Sequence, residues 1–80
     1  MPMKESGSER WYAAHYDAHG DLVLSAPAAS SAEVGSMMER DPARYRERLA
    51  VIEQGSVRTL VRAQRTTSGE YRFRKGPRLP

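Results

Sequence analysis

Aromatic and β-branched residues flank a glycine-bearing turn in RWYAAHYDAHGDLVLSAP, residues 10–27. This pattern predicts a β-hairpin. A three-residue loop, Ala18-His19-Gly20, with Gly20 supplying the positive φ of a bulge, sets Asp17 opposite Asp21. Tyr16 then pairs with Leu22, Ala14 with Leu24 and Tyr12 with Ala26. One face becomes Tyr12, Ala14, Tyr16, Leu22, Leu24 and Ala26. The other carries Trp11, Ala13, His15, Val23 and Ser25. A two-residue loop mixes the faces, so the three-residue register is preferred. Pro27 ends the second strand because it cannot donate to a ladder.

The period then changes. Ser30-Ser31-Ala32-Glu33 offers a capping box for a helix starting near Ser31, with Val34, Met37 and Met38 as a narrow apolar stripe. Asp41-Pro42 interrupts it, with Asp41 as N-cap and Pro42 as first residue of a second helix. Tyr45, Leu49 and Ile52 supply the stripe of that helix to about Gln54, and Gly55 supplies its stop. A single long helix kinked at Pro42 is the alternative.

Residues 56–66 fit two periods. Val57, Leu60, Val61 and Gln64 have helical spacing, whereas Val57, Thr59, Val61 and Ala63 alternate as in a strand. The β-branched content and the partner that follows favour the strand. A loop Thr67-Ser68-Gly69 pairs Thr66 with Glu70, Arg65 with Tyr71, Ala63 with Phe73 and Val61 with Lys75. Val61, Ala63, Tyr71 and Phe73 then turn to one face, and Arg62, Arg72 and Arg74 to the other. The sum is ββααββ: an α+β domain with a four-stranded antiparallel sheet of two hairpins and two short helices packed on one face. Residues 1–8 are expected to form a disordered tail, 9–75 the single domain, and 76–80 a frayed C-terminal tail.

Charge sharpens this picture. Residues 1–55 hold six basic and nine acidic groups, a balance of −3. Residues 56–80 hold seven basic groups and only Glu70, a balance of +6. Such asymmetry points to nucleic acid or an acidic protein as partner. With 80 residues and no cysteine, the chain has neither a disulfide framework nor a thiolate metal site to hold it. Packing alone must stabilise one thin core, and a homodimer joining sheet edges is one way to add to it. No apolar run approaches membrane-spanning length, which leads to the expectation of a cytoplasmic protein, in the host cytoplasm if viral, with no membrane partner.

Arg58, Arg62, Arg65, Arg72, Arg74 and Lys75 form the principal candidate surface. Nucleic-acid binding needs several cations on a rigid rail, which a hairpin provides. The order helix, turn, helix, basic hairpin runs through Ser31-Ala32-Glu33-Val34, then Arg44-Tyr45-Arg46-Glu47-Arg48-Leu49, then Ile52-Glu53-Gln54-Gly55-Ser56-Val57. In this it resembles a winged helix-turn-helix. The resemblance covers about 45 residues through motifs of low specificity. It implies that the second helix enters the major groove with Arg44, Arg46 and Arg48 facing DNA, and that residues 65–74 form the wing. The chain departs from that pattern in having an aromatic hairpin where a first helix would stand, and no glycine in Glu39-Arg40-Asp41-Pro42.

His15, Asp17, His19 and Asp21 alternate as metal ligands sometimes do, but residues 18–20 form the turn and break the shared face, so no metal or other cofactor is expected. No nucleophile is spaced to work with either histidine, and no phosphate-binding glycine motif is present. A non-enzymatic binding module is therefore expected, contacting nucleic acid through the C-terminal hairpin. The alternative is a compact protein-binding inhibitor or adaptor that blocks a larger machine, a nucleic-acid-processing one among the candidates; the analogy with phage and plasmid counter-defence proteins is one of size, not of motif. In that reading Trp11 and His15, on the outer face of the first hairpin, anchor the protein interface.

Overall fold

The computed structural model describes residues 9–80. The tail expected at residues 1–8 lies outside them. The elements are β1 (Glu9–Tyr16), β2 (Leu22–Leu24), α1 (Ser31–Arg40), β3 (Leu49–Gln54), β4 (Val57–Arg65) and β5 (Tyr71–Arg78). They form one five-stranded sheet in the order β2-β1-β3-β4-β5, every neighbouring pair antiparallel. A four-stranded sheet under two helices is therefore incorrect: among the described residues there is one more strand and one fewer helix.

The error lies between Pro42 and Gln54. Asp41 Oδ1 does accept from the Arg44 amide at 3.4 Å, but residues 42–47 form turns and no helix follows. Tyr45 N–H donates to Asp41 O, and Arg48 N–H donates back to Tyr45 O at 2.8 Å. Arg48 then takes φ 56, left-handed backbone that an L-residue adopts at a cost of roughly 1–2 kcal/mol, and the chain turns into β3. Leu49, Ala50, Val51 and Ile52 are all buried. In a helix, this unbroken run would put Val51 away from the Tyr45–Leu49–Ile52 stripe. A strand covered on both faces buries all four, each large aliphatic side chain contributing roughly 1.5–3 kcal/mol. The two-residue loop Gly55-Ser56, with Gly55 at φ 62, closes the β3–β4 hairpin where a helix stop was expected.

The other hairpins follow their expected registers. Tyr16 pairs with Leu22 and Ala14 with Leu24, and Gly20 has φ 81. Asp17 Oδ1 accepts the amides of His19 and Asp21, which closes the turn. At the far end the pairing shifts: Trp11 exchanges both backbone hydrogen bonds with Ala28, so the expected Tyr12–Ala26 pair does not form. In the last hairpin, Arg65 pairs with Tyr71, Ala63 with Phe73 and Val61 with Lys75 around Gly69 at φ 90. Beyond Lys75 the register slips by one residue, Thr59 opposing Arg78. The strand thus continues through most of the segment expected to fray, and the Leu79 amide donates to Arg58 O at 2.8 Å.

The helix α1 starts at Ser31, as its capping box requires. Ser30 Oγ accepts from the Glu33 amide, and Glu33 Oε1 from the Ala29 amide. Its Val34 and Met38 pack with Ala13, Ala50, Ile52, Val61 and Ala63, flanked by Trp11, Tyr71 and Phe73. The helix therefore covers the Trp11–Ala13 face of the first hairpin, the one expected to lie outward. Both faces of β1 are apolar, and the one with larger aromatic reach toward β5 takes the helix: Trp11 meets Phe73 edge-on at 5.3 Å. On the opposite face Tyr12, Ala14, Leu49 and Val51 form a second cluster, sealed by half-buried Leu22, Leu24, Leu60 and Leu79. Among the described residues no helix lies on that face.

Close approach of α1 to β5 depends on Gly35, where an added Cβ would sit 3.0 Å from Tyr71 Cδ2. In an open helix Gly→Ala gains roughly 0.5–1 kcal/mol. Here Tyr71 is tied through its hydroxyl to Glu39 and cannot yield freely. Gly35→Ala should therefore lower stability by about 1–3 kcal/mol in urea unfolding, and a gain in stability would contradict this packing.

Candidate polyanion-binding face

Alternation along β4 and β5 sorts the cations. Val61, Ala63, Tyr71 and Phe73 belong to the helix-side core. Arg58, Leu60, Arg62 and Gln64 on β4, and Arg72 and Arg74 on β5, therefore point to the open face. Arg62 lies directly opposite Arg74, and Gln64 opposite Arg72. All four side chains are exposed.

Two ends of this open face differ in charge. At one end Glu53 on β3 sits between Arg10 on β1 and Arg58 on β4. Arg58 Nε donates to Glu53 Oε2 at 2.9 Å and the Tyr12 hydroxyl to Oε1 at 3.0 Å. Those donors, Arg58 first, hold the Glu53 carboxyl below its ordinary value of 4.5, with a smaller contribution from Arg10. At the other end, among the described residues, Arg62, Arg72 and Arg74 have no carboxylate within ion-pair distance. Arg62, Gln64, Arg74, Lys75, Gly76 and Pro77 line a cleft of about 400 Å³ there.

The remaining expected cations lie elsewhere. Arg65 is on the helix side, 3.4 Å from Glu39. Glu39 also accepts from the Tyr71 hydroxyl, and that bond raises the Tyr71 pKa above its ordinary 10.0. The Arg48 guanidinium lies 5.7 Å from the centre of the Tyr71 ring. Arg44 pairs with Asp41 at 3.3 Å in the turn after α1. With no second helix, Arg44, Arg46 and Arg48 do not share a groove-reading surface. Trp11 and His15, expected on an outward interface, are half-buried on the helix side, His15 standing edge-on to the Tyr45 ring at 5.8 Å.

Three participants are not among the expected residues. Gln64 sits between Arg62 and the turn in the same alternating set, so the period-2 pattern already contained it. Arg10 and Glu53 form their row with Arg58 only because β3, expected as helix, enters the sheet between β1 and β4. Among the described residues, no three His, Asp or Glu side chains are placed to share a metal ion, and no helix is long and apolar enough to cross a membrane.

Comparison of the chain with family models, with curated proteins and with solved structures finds no match in any of the three.

The Glu53 arrangement has a pH signature. A carboxylate with a depressed folded pKa contributes stability that is present above its ordinary value of 4.5 and lost as pH falls through the lower folded value. Glu53→Gln should be less stable than wild type at neutral pH, and the gap should close as the solution is acidified below about pH 4. Urea midpoints measured across this range check it; a gap that stays constant with pH would contradict the Arg58–Glu53–Tyr12 linkage.

Proposed function

We propose that the chain is a non-enzymatic binding module that holds nucleic acid on the open face of β4 and β5, through Arg62, Arg72 and Arg74 with Lys75 at the edge. The observation that carries this reading is the Arg62–Arg74 cross-strand pair. Like charges directly opposite one another destabilise a sheet. Among the described residues no carboxylate relieves this pair, although Glu53 relieves Arg58 on the same face. An anion held between the two strands removes that repulsion. Guanidinium groups suit phosphate because their planar fork donates two hydrogen bonds at once.

A strongly acidic protein is the second reading, and the position of β5 favours it. This is an edge strand of eight residues, and an acidic segment adding to that edge would meet Arg72 and Arg74 on one side and Lys75 and Arg78 on the other. Capture from lysate with and without nuclease separates the two, since only the nucleic-acid reading loses its partner to nuclease.

Counterion release supplies the quantitative test. The logarithm of the binding constant for a single-stranded or duplex oligonucleotide should fall linearly with the logarithm of salt concentration. Arg62→Gln, Arg72→Gln and Arg74→Gln should each reduce the magnitude of that slope by about 1, while Arg44→Gln leaves it unchanged. Fluorescence anisotropy reads both quantities. Absence of binding to either form at low ionic strength would overturn the proposal.

A further inference from the structure

The cleft beside Gly76 differs from the rest of the arginine face. Arg74 and Lys75 are consecutive, and a regular strand sends consecutive side chains to opposite faces. Both nevertheless line this cleft, together with Arg62 and Gln64. The register slips beside it. From Val61–Lys75 to Thr59–Arg78, β4 advances two residues and β5 three, so β5 carries one extra residue at Gly76-Pro77. Such a bulge bends its strand and increases the local twist. Gly76 allows the bend, since a Cβ there would lie 3.2 Å from the Leu60 carbonyl oxygen. Pro77 has no N–H to leave unpaired at the slip. The bulge sits on the outermost strand, so the cleft opens at the sheet edge, where a chain lying along the open face would run off.

The lining fits one chemical group. Three basic residues and a glutamine line it, with no acidic residue among its members. An internal phosphodiester carries one charge, which a single guanidinium such as Arg72 suffices to meet. A phosphomonoester carries about −1.5 to −2 at neutral pH and presents three acceptor oxygens. We infer that this cleft is a site for a terminal phosphomonoester, and, resting on the nucleic-acid reading above, that it takes the phosphorylated end of a strand whose internal phosphates lie along Arg72 and Arg74.

One oligonucleotide sequence prepared with a 5′-phosphate, with a 3′-phosphate and with hydroxyls at both ends tests this by anisotropy. One phosphorylated form should bind about tenfold tighter than the hydroxyl form, as one or two additional charge-assisted hydrogen bonds would give. That preference should shrink between about pH 7.5 and about pH 5, because the second ionisation of the phosphate lies near pH 6. Lys75→Gln and Arg62→Gln should remove the preference, whereas Arg72→Gln should weaken all three forms alike. Equal binding of the three forms, with Arg72→Gln still weakening them, overturns the cleft assignment and leaves the nucleic-acid reading standing. If no strand binds, that reading fails and inorganic phosphate decides the cleft. Saturable shifts of the Gln64 side-chain amide resonances that vanish in Lys75→Gln support a phosphate site with another carrier, and no shifts overturn it.

Discussion

The fold depends on the burial of β3 from both sides. Leu49 and Val51 face the open side, Ala50 and Ile52 the helix side, and all four are buried. Among the described residues no other strand joins the β1–β2 hairpin to β4 and β5: β1 pairs with β3 over six residues, and so does β4. Without this central strand the two outer hairpins would share no ladder, and α1 would have no continuous apolar floor. Strain at Arg48 and the positive φ of Gly55 mark the two ends of the strand, where the chain must enter and leave the sheet abruptly.

Central placement of β3 also sets the electrostatics. It brings Glu53 between Arg10 and Arg58 and so neutralises one end of the open face, while the cations of β4 and β5 at the other end lack a matching acid among the described residues. Helix α1 does the same on its own side, where Glu39 takes Arg65 and the Tyr71 hydroxyl. Of the six basic residues expected on the hairpin, two are thereby committed to the fold. The other four, Arg62, Arg72, Arg74 and Lys75, cluster at one edge, three of them around the cleft. Charge that the fold leaves uncompensated is the feature that points outward to a partner.

Much of the sheet was legible from its turns. Gly20 and Gly69 each close a three-residue loop at positive φ, and a two-residue side-chain period then fixes every register next to them. The arginine face was legible for the same reason. The run Leu49-Ala50-Val51-Ile52 was not, because four consecutive apolar residues suit a doubly buried strand or a short stretch of helix equally well. Tyr45 four residues earlier, with Asp41 and Pro42 in good capping positions, tipped the sequence pattern toward helix. Those capping signals are satisfied in the turns of residues 42–47. The covered face of β1 was equally hidden, since Trp11, Ala13 and His15 are as apolar a set as Tyr12, Ala14 and Tyr16, and only the partner across the sheet distinguishes them. The bulge at Gly76-Pro77 reads in sequence as a chain end rather than as a bend.

Arginine side-chain NMR during titration with a single-stranded oligonucleotide tests the central claim most directly, because each Nε–Hε group reports its own contact. The account predicts that the signals of Arg62, Arg72 and Arg74 shift together and saturate at one stoichiometry, while those of Arg44 and Arg65, held by Asp41 and Glu39, stay in place. Shifts confined to Arg44, Arg46 and Arg48, or no shifts at any arginine, would contradict it.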